Sequence, residues 1–176
     1  LSAFTTVPRL LTLRHEREGG EWRASESRRV QYYRALLPAV DGVDIELSAS
    51  GAAEVIQMAH AAQKCVVLSS HDFQNTPSLS AMQAQLARAH ELGADIFKIA
   101  AMVNTTGDLH RLAQFLCQEN TKLPLVVIGM GALARNSRVI FPALGSVFSF
   151  AAMEVQTAPG QWALREMSPL FRGLYG

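Results

Sequence analysis

The sequence predicts an α/β fold on a parallel sheet, either an open sheet or a (β/α)8 barrel lacking its first two units. Three observations predict it. Six short apolar runs read as strands. Longer amphipathic patterns separate them, and this alternation calls for a parallel sheet with right-handed crossovers. Polar and charged residues gather just after the strands, where both architectures place ligands. A full barrel needs eight units and typically about 250 residues, whereas this chain has 176 and shows six units.

In order, the strands are expected at 10–14, 43–47, 65–70, 96–100, 125–129 and 147–150. Helices are expected at 25–37, 52–63, 80–92, 109–120 and 161–174, with a weaker helical piece at 132–140. In 80–92 the apolar set Met82, Leu86, Ala89 and Leu92 follows helical spacing. Gly93 follows directly, as a helix stop. Connections are short and no linker or low-complexity stretch interrupts them, so one domain over residues 1–176 is expected.

Composition narrows the class. Hydrophobic residues make up 49% and charged residues 18%, enough apolar surface for a folded core and too little charge for disorder. A net charge of +1 gives no electrostatic case for nucleic acid or membrane as partners. The run Leu123-Pro124-Leu125-Val126-Val127-Ile128 is too short to span a bilayer. The start Leu1-Ser2-Ala3-Phe4 has no charged region before an apolar one, so no signal peptide is read there. It also lacks Met, which reads as a fragment or a processed chain. Cys65 and Cys117 are far apart and fall in predicted elements. They read as buried free thiols of a cytoplasmic protein. The sequence does not fix the oligomeric state; a homodimer is the default.

Lys98 is a lone cation in the strand-like run Asp95-Ile96-Phe97-Lys98-Ile99-Ala100. Strand alternation puts Ile96, Lys98 and Ala100 on one face and Phe97 and Ile99 on the other. Burial there would depress its pKa and free the amine to attack a carbonyl. The plain alternative is a strand-end lysine reaching water. Against it stand two further strand ends, Arg14-His15-Glu16-Arg17-Glu18-Gly19-Gly20 and Ser69-Ser70-His71-Asp72-Phe73, which bring Glu18 and His71 to the same end of the sheet. Asp44 and Glu46 alternate onto one strand face, and supporting hydrogen bonds are expected of them. His15, His60, His90 and His110 form no ligand cluster. The methionines, Met130 among them, read as core filler. No GxGxxG or GxxxxGK[ST] is present.

Five segments in order carry a resemblance. They are Glu18-Gly19-Gly20, then Ser69-Ser70-His71-Asp72-Phe73-Gln74-Asn75-Thr76-Pro77, then Gly93-Ala94-Asp95-Ile96-Phe97-Lys98-Ile99-Ala100, then Met130-Gly131 with Ser137-Arg138, and last Ala158-Pro159-Gly160-Gln161. Together they resemble type I 3-dehydroquinate dehydratase, the Schiff-base class, from about Leu10 to the C-terminus. The resemblance implies a (β/α)8 TIM barrel, of which this chain would be the C-terminal three quarters. It implies a lyase of the shikimate pathway, in aromatic amino acid and chorismate biosynthesis, acting on 3-dehydroquinate without a metal or organic cofactor. It assigns Lys98 to the imine, His71 to general acid/base work and Glu18 to orienting the histidine. Arg138 is assigned to the substrate carboxylate; Arg14, Thr157, Gln161 and Glu46 become substrate-binding residues.

The chain departs from the pattern in places. The first two strands of such a barrel are not seen, and one of them ends in a Glu-hydrophobic-Arg pattern. Glu21-Trp22-Arg23 has those letters but falls in a loop. Thr157 stands where a serine is usual. Val103 stands where proline is common, and a looser loop after the lysine strand is expected from it. A truncated relative that binds or assembles without turnover is the alternative function. A class I aldolase is a weaker third reading, because it leaves the His71 and Gln161 segments unexplained.

Overall fold

The computed structural model describes residues 7–118 and 123–176. The start read as lacking a signal peptide and the last two residues of the helix expected at 109–120 lie outside these. Five parallel strands lie side by side in chain order: β1 (Leu10–Thr12), β2 (Gly42–Glu46), β3 (Cys65–Asp72), β4 (Ile96–Met102) and β5 (Leu125–Met130). Helices α1 (Glu26–Leu36), α2 (Ala52–Ala61), α3 (Leu79–Leu92) and α4 (Thr106–Leu116) fill the four crossovers. The short α5 (Ser137–Ile140) and the longer α6 (Leu164–Tyr175) follow β5. No helix among the described residues is long and apolar enough to cross a membrane.

Local chemistry sets the helix starts. The side chains of Ser25 and Ser78 accept backbone N–H groups of Arg28 and Ala81, closing the first turns of α1 and α3. α4 begins three residues before its apolar pattern does, because Thr105 and Asp108 form a reciprocal capping box.

Strand alternation divides the core in two. The outward faces, with Val43, Ile45, Val66, Leu68, Phe97 and Ile99, pack under the helices. Phe97 meets Phe115 of α4 edge to face, with ring centroids 6.5 Å apart; burying a side chain of that size contributes about 1.5–3 kcal/mol. On the inward face, Ala100, Val126, Ile128 and Met130 form a small apolar cluster. Register places Glu46, Ser69, Lys98 and Val126 in one row across four strands. The inward face is therefore charged on β2–β4 and apolar on β5, and that asymmetry builds the site.

The sixth strand expected at 147–150 does not form. The segment lies beside β5 but joins its ladder through one backbone bond, Val147 N to Leu125 O. At the next donor the Ser146 hydroxyl stands in, accepting from Val127 N. Phe148 and Phe150 still pack against the inward cluster. Among the described residues, then, the sheet is an open arc of barrel, with β1 and β5 at its edges.

Two smaller expectations change. Cys65 is only partly buried and Cys117, just past the buried face of α4, is exposed; both are unpaired thiols. Val103 does not loosen its loop: it is buried, and its N–H donates to Met130 O, a bond proline lacks.

Candidate active site

The inward-facing charges meet at the C-terminal end of the sheet, around a cavity of about 550 Å³. Arg14, Glu18, His71, Lys98, Arg138, Thr157 and Gln161 all line it.

Lys98 projects from the middle of β4 and is almost fully buried. Its Nζ donates to Asp44 Oδ2 at 2.9 Å and lies 4.7 Å from the centre of the Phe150 ring. Burial lowers its pKa, Asp44 pulls the other way, and the Arg14 guanidinium adds to the lowering. The amine is therefore easier to deprotonate than an ordinary lysine.

Asp44 is the hub. Besides Lys98 it accepts from Arg14 Nη2 and from the Ser69 hydroxyl. Burial alone would raise its pKa, but Lys98 and Arg14 outweigh that and hold it far below its ordinary 3.8. Replacing Asp44 with Asn leaves two cations without their shared counterion. We expect a loss of about 3–5 kcal/mol in urea unfolding, the range for breaking a buried pair. The pH dependence gives the sign. A carboxyl depressed in the fold adds stability that is complete above its unfolded value of 3.8 and lost as pH falls through the folded value. The acid limb of stability below about pH 4 should be shallower in Asp44→Asn, and an unchanged limb would count against Asp44 as the hub.

The His71 side chain points inward from β3. Glu18 Oε2 accepts both His71 N, at 3.0 Å, and His71 Nδ1, at 2.9 Å. A carboxylate that takes a backbone N–H is an acceptor, so Nδ1 carries the ring proton and Nε2 is left as a base. Ser48 Oγ donates to the other Glu18 oxygen at 2.8 Å. Burial lowers the His71 pKa below 6.5, against the Glu18 bond, with Lys98 and Arg14 assisting. Glu18 ends a 3₁₀ turn closed by Gly19 at φ +80°, where a Cβ would sit 2.2 Å from the Phe73 ring. The glycine is thus required by both conformation and space.

Arg138 of α5 is buried, and its Nε and Nη2 have no hydrogen-bond partner among the described residues. One other nitrogen, Nη1, donates to Phe150 O at 3.4 Å. Burial pushes its pKa down to about 10. A desolvated guanidinium at a cavity wall is a ready receptor for an anion. Gln161 Oε1 accepts from Thr157 N at 2.8 Å and Thr157 Oγ1 at 3.2 Å, which folds the last loop over the cavity mouth. Gly160 allows this at φ +73°; a Cβ there would lie 2.5 Å from Gly131 O.

Glu46, expected among the substrate contacts, does not line the cavity. Its Oε1 takes His15 N and Arg14 Nη1, and its Oε2 takes Arg29 Nη1 at 2.6 Å. With both oxygens occupied, it serves as a support. Arg29 escaped the sequence reading, though it lies one turn before the buried Tyr33 on α1 and its spacing could have flagged it. Ser48, Ser69 and Phe150 were also missed as parts of the site; Ser69 stands two residues before His71 on β3 and shares its inward face, whereas nothing in the spacing of Ser48 and Phe150 marks them. Glu21-Trp22-Arg23 stays out of the cavity apart from Glu21, and Arg23 pairs with Glu16 at the surface.

A profile of type I 3-dehydroquinase matches residues 1–175. The chain belongs to the type I 3-dehydroquinase family. A 3-dehydroquinate dehydratase of Methanosarcina barkeri is 40% identical over 174 residues, covering 94% of this chain and 72% of the relative. One from Bacillus licheniformis is 33% identical over 176 residues, covering 96% and 69%. Among solved structures, the type I 3-dehydroquinate dehydratase of Clostridium difficile with covalently modified comenic acid superposes with a TM-score of 0.90 at 29% identity. It covers 98% of this chain and 70% of that one. The enzyme from Aquifex aeolicus gives 0.81 at 31%, covering 94% and 74%. The five-stranded arc is thus an α/β segment of the TIM barrel of type I 3-dehydroquinases.

Proposed function

We propose that Lys98, His71 and Glu18 are the catalytic residues of this type I 3-dehydroquinase. The chain is a lyase that dehydrates 3-dehydroquinate to 3-dehydroshikimate through a lysine imine, a step of the shikimate pathway. The observation that carries the residue assignment is the arrangement of the cavity. It holds a buried amine of lowered pKa, a histidine whose Nδ1 is held by a carboxylate so that Nε2 is free, and a buried guanidinium with unpartnered donors among the described residues.

The substrate is a ring ketone with a hydroxyl two carbons away and a carboxylate on the hydroxyl-bearing carbon. The Lys98 amine adds to the ketone carbon, and loss of that oxygen as water leaves the imine. His71 Nε2 takes a proton from the carbon between, and its electron pair moves into the imine to form an enamine. The enamine expels the hydroxyl, which leaves as water with the proton returned from His71. Hydrolysis of the remaining imine restores Lys98. Glu18 holds the ring and its tautomer and favours the imidazolium that forms in between. Arg138 receives the carboxylate as a planar fork, and Thr157 with Gln161 closes over it. Arg14 lines the cavity wall beside Asp44, and Glu46 supports it from behind.

The 176 residues form one domain, the C-terminal three quarters of the barrel, in a cytoplasmic protein that assembles as a homodimer. The test is borohydride reduction in the presence of 3-dehydroquinate, followed by peptide mass mapping. The ligand should be found on Lys98 alone. Labelling spread over other lysines, or none at all, overturns the proposal.

A further inference from the structure

We infer that Arg29, a residue of the helical layer outside the cavity, is a positioning residue that sets the protonation of Lys98 through a ladder of alternating charges. The ladder runs Arg29, Glu46, Arg14, Asp44, Lys98. Arg29 Nη1 meets Glu46 Oε2 at 2.6 Å; Glu46 Oε1 meets Arg14 Nη1 at 3.0 Å; Arg14 Nη2 meets Asp44 Oδ1; Asp44 Oδ2 meets Lys98 Nζ at 2.9 Å. Arg29, Glu46 and Asp44 are each only 1% exposed, so water screens these links little. Arg29 is also fixed at both ends: Nη1 donates to Leu13 O at 3.0 Å and Nη2 to Glu26 Oε2 at 3.0 Å.

The ladder gives each rung a sign. Arg14 divides itself between Glu46 and Asp44. When Arg29 occupies Glu46, Arg14 is released toward Asp44, and Asp44 is shared between two cations instead of serving Lys98 alone. Removing the Arg29 charge draws Arg14 toward Glu46 and leaves more of Asp44 to Lys98, which favours the ammonium. Removing the Glu46 charge does the reverse. The direct fields of the two groups act in the same senses as these rearrangements. The other groups facing Lys98 are Glu18 from the turn after β1, His71 from β3 and Arg138 from α5, and neither substitution touches them.

The inference rests on Lys98 being the imine-forming amine, but its test needs no substrate. Trace acetylation with acetic anhydride across a pH series, read by peptide mass spectrometry, gives the titration midpoint of Lys98 with Lys64 as internal reference. Arg29→Gln should raise the midpoint by about one pH unit and Glu46→Gln lower it by about one, the size of a charge change roughly 10 Å away at an effective dielectric near 20. Arg29→Lys, which keeps the charge and loses the fork, should recover most of the wild-type value. A purely structural Arg29 would lower the melting temperature of both neutral variants without opposed shifts. Unmoved midpoints, or shifts of one sign, overturn the ladder. If Arg29→Gln does not fold, Glu46→Gln with Arg29→Lys decides it: a lowered midpoint in the first and a spared one in the second keep the charge link, and any other result overturns it. Opposed shifts in a protein that forms no borohydride-trapped adduct would keep the ladder and fell the catalytic reading instead.

Discussion

Lys98→Ala should abolish the reducible adduct with 3-dehydroquinate and lower turnover by about 10⁴-fold or more, as expected when a covalent nucleophile is removed. The structure makes this a clean experiment. Asp44 keeps Arg14 and Ser69 as partners after the amine is gone, so no isolated buried charge remains. The variant should lose less stability than Asp44→Asn, where Lys98 loses its carboxylate partner and Arg14 keeps only Glu46. The sequence holds three lysines, Lys64, Lys98 and Lys122, so a surviving adduct could be placed by peptide mapping. Adduct at wild-type level in Lys98→Ala would move the chemistry elsewhere. The loss should appear in kcat, because the amine acts on bound substrate and Arg138 remains to hold the carboxylate.

Particular residues show what the sequence could and could not tell. Lys98, Glu18 and His71 were legible because strand alternation is a local rule, and a charge on an otherwise apolar strand breaks it visibly. The same rule put Asp44 and Glu46 on one inward face. Their partners were not legible. Arg29 reaches Glu46 from a helix 17 positions earlier; its spacing from Tyr33 gives the helix face it shares, but no short-range pattern names its partner. Glu46 read as a substrate contact because strand alternation says which face a side chain takes and not what already occupies it. The sixth strand failed for a related reason. Val147, Phe148 and Phe150 have strand-forming side chains, but a strand exists only where a ladder does, and Ser146 takes the place of its second rung. α4 shows the opposite case: its capping box was written in Thr105 and Asp108, and the apolar pattern used to mark its start simply begins later.

His71→Ala separates the two halves of the chemistry. Without the imidazole the amine of Lys98 is still buried beside Asp44, so borohydride should still trap the ligand on Lys98. Turnover should fall by about 10²–10⁴-fold, the usual contribution of a positioned acid/base. The pH profile adds a second reading. The base works as neutral imidazole, and its pKa lies below 6.5. Lys98 also attacks as the free amine, so wild-type kcat/KM should fall on the acid side in two steps, one through the lysine pKa below 10.5 and one through the histidine pKa below 6.5. In His71→Ala the histidine step should vanish and the lysine step remain. Removing Glu18 instead, as Glu18→Gln, replaces the acceptor on Nδ1 with an amide that can also donate. The ring can then flip tautomer and present Nε2–H to the substrate, so kcat should drop while trapping persists. If His71→Ala loses the adduct as completely as Lys98→Ala does, the histidine is needed to form the imine, and the division of labour drawn between the two residues is wrong.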